Sequence, residues 1–141
     1  MTNPVVEFNK QLEDFFDFMI KICPTDDLEC QNTKNDIVAY KGLVNAAIKM
    51  NKLSALEKYI LHALIHEDEI NSRNEDFFLT MDYGEGIGGN DKSMLQAMKF
   101  KCIWHKLTKK RKEKIFDYII VITFWARQYF NQKYGNNMAH K

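Results

Sequence analysis

The sequence predicts an all-α protein, a single-domain bundle of five to six helices around a central buried C-terminal helix. Only two prolines and six glycines occur in 141 residues, and four of the glycines lie together in 84–89, so little interrupts helices elsewhere. Near the C-terminus, residues 115–126 form a nearly continuous apolar run. The run is too long for a typical strand and too short to span a bilayer. It therefore indicates a helix that other helices surround.

The overall composition is that of an ordinary soluble globular chain, with 45% hydrophobic residues, 28% charged residues and a net charge of +1. A near-neutral chain does not by its net charge predict an anionic or a cationic partner. Three cysteines and no basic segment followed by an apolar core at the N-terminus predict a reducing compartment and no secretion signal. We expect residues 1–135 to form the domain and 136–141 to be a flexible tail.

The first helix is predicted from its cap, its apolar face and its terminator. Asn3 is a favourable N-cap and Pro4 suits the first helical position. Pro24 disfavours helical backbone at the residue before it, so the helix should run from Pro4 to Ile22. The apolar side chains that share one face are Phe8, Leu12, Phe15, Phe16, Met19 and Ile22.

A second helix should begin within residues 25–27, where Asp26 and Glu29 resemble a capping box, and end near Met50. Gly42, one turn before a small alanine, would allow a neighbouring helix to approach closely.

The remaining helices are shorter until the last. A third helix should start within 51–54 and run to about His66. Residues 75–81 favour one or two helical turns over a strand, because no second β-rich run exists to pair with them. A fifth helix should cover about 92–106. The C-terminal helix should start at Thr108 and continue for roughly 25 residues.

Two motifs resemble ligand sites but lack the surrounding pattern. Residues 84–89 satisfy GxGxxG, yet the parallel βαβ context of a dinucleotide site is missing. His62 and His66 would share one helix face as metal ligands, but their order is not HExxH. The cysteines form no CxxC pair. We therefore predict no enzyme activity, no catalytic residue, no cofactor and no metal, while binding by the glycine loop or the histidine pair stays open.

The charge is sorted along the chain. Residues 99–114 carry eight basic residues and one acidic, a net of +7, whereas residues 67–91 carry eight acidic and one basic, a net of −7. Phe100 and Trp104 lie among the cations, as aromatic residues do in proteins that bind single-stranded nucleic acid or phosphate. A nuclear-localisation patch has the same composition. A third interpretation of these cations is a solvated corner between two helices, whose positive charge is balanced by the acidic residues of 67–91.

Four consecutive cations, Lys109–Lys112, follow Thr108, the predicted N-cap of the last helix. Positive charge in a first turn opposes the helix macrodipole by roughly 0.3–1 kcal/mol per residue at low salt. Either an acidic partner within the chain, for which Glu67–Glu69 is the candidate, or an external acidic partner would explain them. The candidate partner-binding residues are Lys106, Lys109, Lys110, Arg111, Lys112, Phe100 and Trp104. Tyr134 is a further candidate for an exposed contact aromatic.

Three stretches resemble small helical proteins encoded by large DNA viruses, especially viruses of algae and protists. They are residues 8–16 (FNKQLEDFF), residues 74–79 (NEDFFL) followed by Asp82 and Tyr83, and the aromatic-rich portion 104–130. The resemblance covers most of the chain and contains no catalytic motif. The glycine-rich loop departs from the group, where this loop is more acidic and polar. The resemblance implies a viral protein, in the virion or the infected-cell cytoplasm, and no particular activity.

We predict a non-enzymatic helical protein that acts through contacts with a viral or host protein, as a minor virion or capsid component would. The alternatives are a nucleic-acid-associated protein that uses residues 99–114, and a small-ligand or metal-binding helical protein. No membrane span is predicted. The sequence leaves the oligomeric state and the identity of the partner open.

Overall fold

The computed structural model describes residues 3–80 and 103–139, with side chains for 3–77 and 103–135. Within these ranges the chain forms six α-helices and no strand, which confirms the all-α prediction. The helices are α1 (Pro4–Ile22), α2 (Leu28–Met50), α3 (Ser54–His62), α4 (Glu67–Asn71), α5 (Glu75–Thr80) and α6 (Lys109–Ala139), and a 3₁₀ turn (Leu64–His66) lies between α3 and α4. Most of the predicted 92–106 helix lies outside the described residues.

Helix α1 has the predicted bounds, and the Asn3 side chain accepts a hydrogen bond from the Val5 amide at 2.9 Å. At α2 the capping residue is Asp27 rather than Asp26. The Asp27 carboxylate accepts from the Cys30 amide at 2.7 Å. The capping-box interpretation was therefore one residue out of register, because the N-cap is the residue directly before the first helical one.

The predicted third helix is not continuous. Helix α3 ends at His62, the 3₁₀ turn follows, and the chain resumes as α4. Tertiary packing accounts for the break, since Ala63, Leu64 and Ile70 are all buried although no glycine or proline interrupts the segment. His62 therefore ends α3 and His66 ends the 3₁₀ turn, so the two histidines do not belong to one continuous α-helix.

The core lies between α6 and the helices of the N-terminal half, with α1 lying along α6. One cluster of buried apolar residues joins α1, α2, α3 and α6, and includes Phe8, Leu12, Val44, Leu56, Ile122 and Ala126. A second cluster lies towards the start of α6 and contains Met19, Ile22, Trp104, Leu107, Ile115 and Phe116. Burial of apolar area in these two clusters supplies the main driving force for folding.

The C-terminal helix packs against the others as predicted, but it is not buried on every side. Ile122 and Ala126 are 2% and 0% exposed, whereas Phe124 is 50% exposed and Val121 37%. The expectation that the whole apolar run is enclosed was therefore wrong. The described helices cover α6 from one side, and a helix buries only the stripe that its neighbours contact.

One polar group is buried inside the core-facing stripe of α6. Thr123 is 1% exposed, and its hydroxyl donates to the Ile119 carbonyl at 2.8 Å and lies 2.6 Å from the Tyr59 hydroxyl. Burial raises the pKa of Tyr59 to about 12. This neutral hydrogen-bonded pair satisfies both hydroxyls, as buried polar groups require.

Asp117, the one carboxylate within the apolar run of α6, pairs with Arg73. Arg73 follows α4 in left-handed backbone, with φ of 56°. Its guanidinium also donates to the Glu113 carbonyl at 3.1 Å. The turn after α4 is thereby fastened to the side of α6, a contact between positions 40 and 44 residues apart.

Gly42 does not receive a neighbouring helix within the described structure. A Cβ atom built at Gly42 would meet nothing within 4 Å, and Ala46 is exposed. Among the described residues, the prediction of a close helix approach at this point is thus not fulfilled.

Helix α6 continues past Gly135 to Ala139, four residues into the segment for which we predict a tail. The division at residue 135 stays a prediction.

Among the described helices, none combines the length and the hydropathy that a bilayer crossing requires.

Candidate functional site

The first turn of α6 presents three exposed cations, Lys109, Lys110 and Arg111, which we call the basic corner. The preceding Thr108 caps the helix as predicted. Its hydroxyl accepts from the Arg111 amide at 3.2 Å, and its carbonyl accepts from the Lys112 amide at 3.0 Å. The cap fixes the backbone from which the three side chains project.

Within residues 3–77 and 103–135, the basic corner forms no ion pair. The acidic candidate within the chain, Glu67–Glu69, does not reach it. Glu67 instead accepts two hydrogen bonds from Arg127, at 3.1 Å to Nε and 2.8 Å to Nη2. The interpretation that this acidic segment neutralises the start of α6 was therefore wrong, since Arg127 lies more than four turns further along the helix.

Lys112 differs from the three cations before it. It is partly buried, and its ammonium lies 5.4 Å from the centre of the Trp104 ring. A cation over an indole face is attracted by the ring quadrupole. Lys112 thus contributes to the fold, and we do not count it in the basic corner.

Trp104 is not an exposed contact aromatic. It is 0% exposed and packs edge-on against Phe116, with ring centres 5.9 Å apart. Its indole N–H donates to the Glu75 carboxylate at 2.6 Å. The prediction failed because Trp104 lies among cations in the sequence, while its indole is covered by α5 and α6, which come from elsewhere in the chain. Phe100, the other aromatic candidate, lies outside the described residues.

Lys106 is also a structural residue rather than a contact cation. Its ammonium pairs with Asp27 and Asp26, the latter at 3.4 Å, and lies 3.3 Å from the Cys30 sulfur. These contacts join the segment before α6 to the start of α2. Sequence reasoning missed them because the partners are separated by 76 to 80 residues.

The same contacts explain the protonation of this cluster. The hydrogen bond from Lys106 lowers the pKa of Asp27 to about 2. Asp27 in turn raises the pKa of Lys106.

The ligand atoms of Asp26, Asp27 and Cys30 lie within 4.8 Å of one another, the one group of three metal-type donors among the described residues. The Lys106 ammonium bonds to all three and neutralises one of the two carboxylate charges.

The two described cysteines, Cys23 and Cys30, are buried and form no disulfide. Burial raises the pKa of Cys23 to about 11 and raises that of Cys30 as well. Both thiols are therefore protonated near neutral pH and poorly nucleophilic. Cys23 and Cys30 therefore act as small core residues.

The Asp27–Lys106 pair predicts a specific acid sensitivity. Because its pKa is lower in the folded than in the unfolded chain, Asp27 stabilises the fold above pH 3.8, and this contribution is lost as the pH falls from 3.8 towards about 2. Asp27→Asn retains a capping side chain but does not titrate. The difference in melting temperature between wild type and Asp27→Asn should therefore be constant above this window and shrink within it.

A double-mutant cycle supplies the control for the acid experiment. In a Lys106→Gln background, most of the acid-dependent difference that Asp27→Asn produces should disappear, because the ammonium is the main cause of the pKa shift. An undiminished pH dependence in that background would contradict the assignment of Lys106 as the partner.

Tyr134 is 40% exposed, as predicted for a contact aromatic. It lies 24 residues after Lys110 on the same helix, which places it roughly 36 Å from the basic corner. Tyr134 contacts Phe130, with ring centres 5.0 Å apart. It therefore cannot belong to one compact surface with the basic corner.

Comparison with known proteins places the chain among viral proteins. No protein-family model and no solved structure matches it. Over 127 residues it is 30% identical to "Uncharacterized protein R465" of Acanthamoeba polyphaga mimivirus, and the match covers 89% of this chain and 69% of the mimivirus protein. This finding confirms the resemblance to proteins of large DNA viruses that was based on the sequence. The chain belongs to the same protein family as this mimivirus protein.

Proposed function

We propose that this member of a viral protein family is a non-enzymatic interaction protein whose basic corner binds an acidic surface on a protein partner. The observation that carries the proposal is the state of Lys109, Lys110 and Arg111. All three are exposed, and none pairs with a described residue. They begin a helix at the end where its dipole disfavours positive charge.

Helix stability alone would favour acidic residues at these positions. Three cations in a first turn oppose the dipole by roughly 0.3–1 kcal/mol each at low salt. Carboxylates of a partner placed against the first turn would remove that unfavourable term and gain attraction to the cations. Complementary charge of this kind mainly raises the association rate and the specificity.

The structure below the corner supports its use as a rigid contact surface. Thr108 caps the helix, and Ile115 and Phe116, one turn further on, are buried. Lys112 lies against the buried Trp104. The three cations therefore project from a packed base, which reduces the ordering that binding would require.

A protein partner is favoured over nucleic acid by the burial of Trp104, the aromatic candidate that the structure describes. Single-strand binders combine cations with side chains on which bases stack. Trp104 is enclosed by the core, and the charge of Lys106 is balanced by Asp26 and Asp27. The described part of 99–114 thus retains a small patch of cations without a stacking platform.

Among the described residues, the buried thiols are not activated nucleophiles. The pKa values of Cys23, Cys30 and Tyr59 are all raised by burial, so their uncharged forms predominate near neutral pH. A catalytic nucleophile normally has a lowered pKa instead.

Within a virus, we propose that the protein is a minor virion component. Mass spectrometry of purified virions would check this.

Charge reversal at the corner tests the proposal. The triple variant Lys109→Glu, Lys110→Glu and Arg111→Glu should keep or raise its melting temperature, because acidic residues suit a helix N-terminus. Its affinity for an acidic peptide such as oligoglutamate should fall roughly tenfold or more at low salt. Fluorescence anisotropy with labelled oligoglutamate measures the affinity, and thermal denaturation measures the stability.

The matched control reverses three exposed lysines elsewhere, Lys10, Lys21 and Lys49, and changes the net charge equally. It should retain most of the peptide affinity. Unfolding of the corner variant would mean that the cations serve the fold, and equal loss in both variants would mean that only net charge matters. Tighter binding of single-stranded DNA than of oligoglutamate by the wild type would favour the nucleic-acid alternative.

A further inference from the structure

Cys30 and Lys106 bring a thiol and an amine into direct contact at the start of α2. The Lys106 ammonium donates to the Cys30 sulfur at 3.3 Å, although the two residues are 76 positions apart in the chain. The thiol in turn hydrogen-bonds with the Asp27 carboxylate. The sulfur therefore lies between a nitrogen atom that can bond to it and a carboxylate that can accept its proton.

The fold holds both members of this pair in place. Asp27 caps α2 and accepts a hydrogen bond from the Cys30 amide at 2.7 Å. On the other side, Ile103 is buried against Cys23 and Cys30, and its carbonyl accepts from the Lys106 amide at 2.9 Å. Because both backbones are anchored, the sulfur and the nitrogen stay close together, which favours a reaction between them.

The sulfur has a buried side and a polar side that borders solvent. Cys30 itself is 2% exposed. The side chains of Lys106 and Asp27, which contact the sulfur, are 36% and 47% exposed. A small polar oxidant can therefore approach along these two side chains. A protonated thiol oxidises slowly, but here the carboxylate gives the thiol proton a direct acceptor.

We propose that Cys30 and Lys106 form a covalent sulfur–nitrogen bond, a sulfenamide, when the protein is exposed to hydrogen peroxide. Oxidation of a thiol gives a sulfenic acid, which condenses with a nearby nitrogen. In this chain the nearby nitrogen is the Lys106 amine. The bond joins the start of α2 to the segment directly before the basic corner.

In the first step the Cys30 sulfur attacks one oxygen of the peroxide. The S–H and O–O bonds break and an S–O bond forms. Asp27 takes the thiol proton, and the Lys106 ammonium gives a proton to the departing hydroxide, which leaves as water.

In the second step the Lys106 amine, now neutral, attacks the sulfur. An N–S bond forms, the S–O bond breaks, and the hydroxide takes the proton from Asp27 and leaves as a second water. The nitrogen then releases one proton to solvent. In total the sulfur gives two electrons to the peroxide, which is reduced to water.

Peptide mapping by mass spectrometry after peroxide treatment tests the proposal. The double variant Cys23→Ala, Cys102→Ala leaves Cys30 as the remaining cysteine. Its peptides that carry Cys30 and Lys106 should be joined, with the loss of two hydrogen atoms. The cross-linked chain should migrate faster in a denaturing gel, because a closed loop makes the unfolded chain more compact. Dithiothreitol should reverse both changes.

Lys106→Arg in the same background is the matched control, because arginine keeps a cation beside Asp27 but does not become a neutral nucleophile. The yield of cross-link should fall roughly tenfold or more, and Cys30 should remain as a sulfenic acid that dimedone labels. A sulfenic acid that persists beside Lys106 would overturn the proposal. So would an unreacted Cys30, a cross-link to another lysine, or a Cys23–Cys30 disulfide as the main product in the wild type.

Discussion

Ile122→Ala is expected to lower the free energy of unfolding by about 2–5 kcal/mol, whereas Val121→Ala, one residue earlier, should change it by about 0.5 kcal/mol or less. Ile122 is 2% exposed within the cluster that joins α6 to α1, α2 and α3. Truncating it removes three carbon atoms from a packed environment and leaves a cavity. Val121 is 37% exposed and leaves no enclosed cavity.

Urea denaturation of both variants, monitored by circular dichroism, measures the difference. Alanine is the better helix former in both cases, so helix propensity cannot produce the contrast. Similar losses at the two positions would mean that a further element covers Val121, as the sequence alone had suggested. A loss confined to Val121 would contradict the orientation of α6.

Trp104→Ala should be at least as damaging, with an expected loss of about 3–5 kcal/mol. The indole is fully buried, contacts Phe116 edge-on and donates a hydrogen bond to Glu75. Its removal takes away the largest fully buried side chain among the described residues. It also removes the ring beneath Lys112.

Trp104→Phe separates ring packing from the hydrogen bond, because phenylalanine retains an aromatic ring but cannot donate to Glu75. It should be destabilised by less than Trp104→Ala, and denaturant titration of both variants checks this order. Lys109→Ala serves as the surface control and should be near neutral. A Trp104→Ala protein of normal stability that fails to bind its partner would instead make Trp104 a contact residue.

Local chemistry was sufficient to predict several helix starts. Asn3 and Pro4 begin α1, and Thr108 caps α6, as the side-chain chemistry of these residues predicted. Residues 75–80 form a short helix, consistent with the absence of a partner strand. These predictions succeeded because a cap or a turn depends on atoms within about four residues of each other.

The candidate site was only partly predictable. The exposure of Lys109, Lys110 and Arg111 agrees with the sequence-based prediction. Trp104 and Lys106 were assigned to the same surface because they are close together in the sequence. In the structure Trp104 lies in the core, whereas Lys106 lies in an ion cluster.

The sequence by itself determined that this chain is helical, where its first helix begins and ends, which residue caps its last, and that it resembles proteins of large DNA viruses. Only the tertiary structure decided which cations are balanced, which aromatic residues are enclosed and which side of α6 is exposed. Hydrogen bonds and apolar spacing within a helix are local, so the residue order specifies them. Burial and ion pairing depend on residues brought together by folding, as when Arg73 reaches Asp117 or Lys106 reaches Asp27.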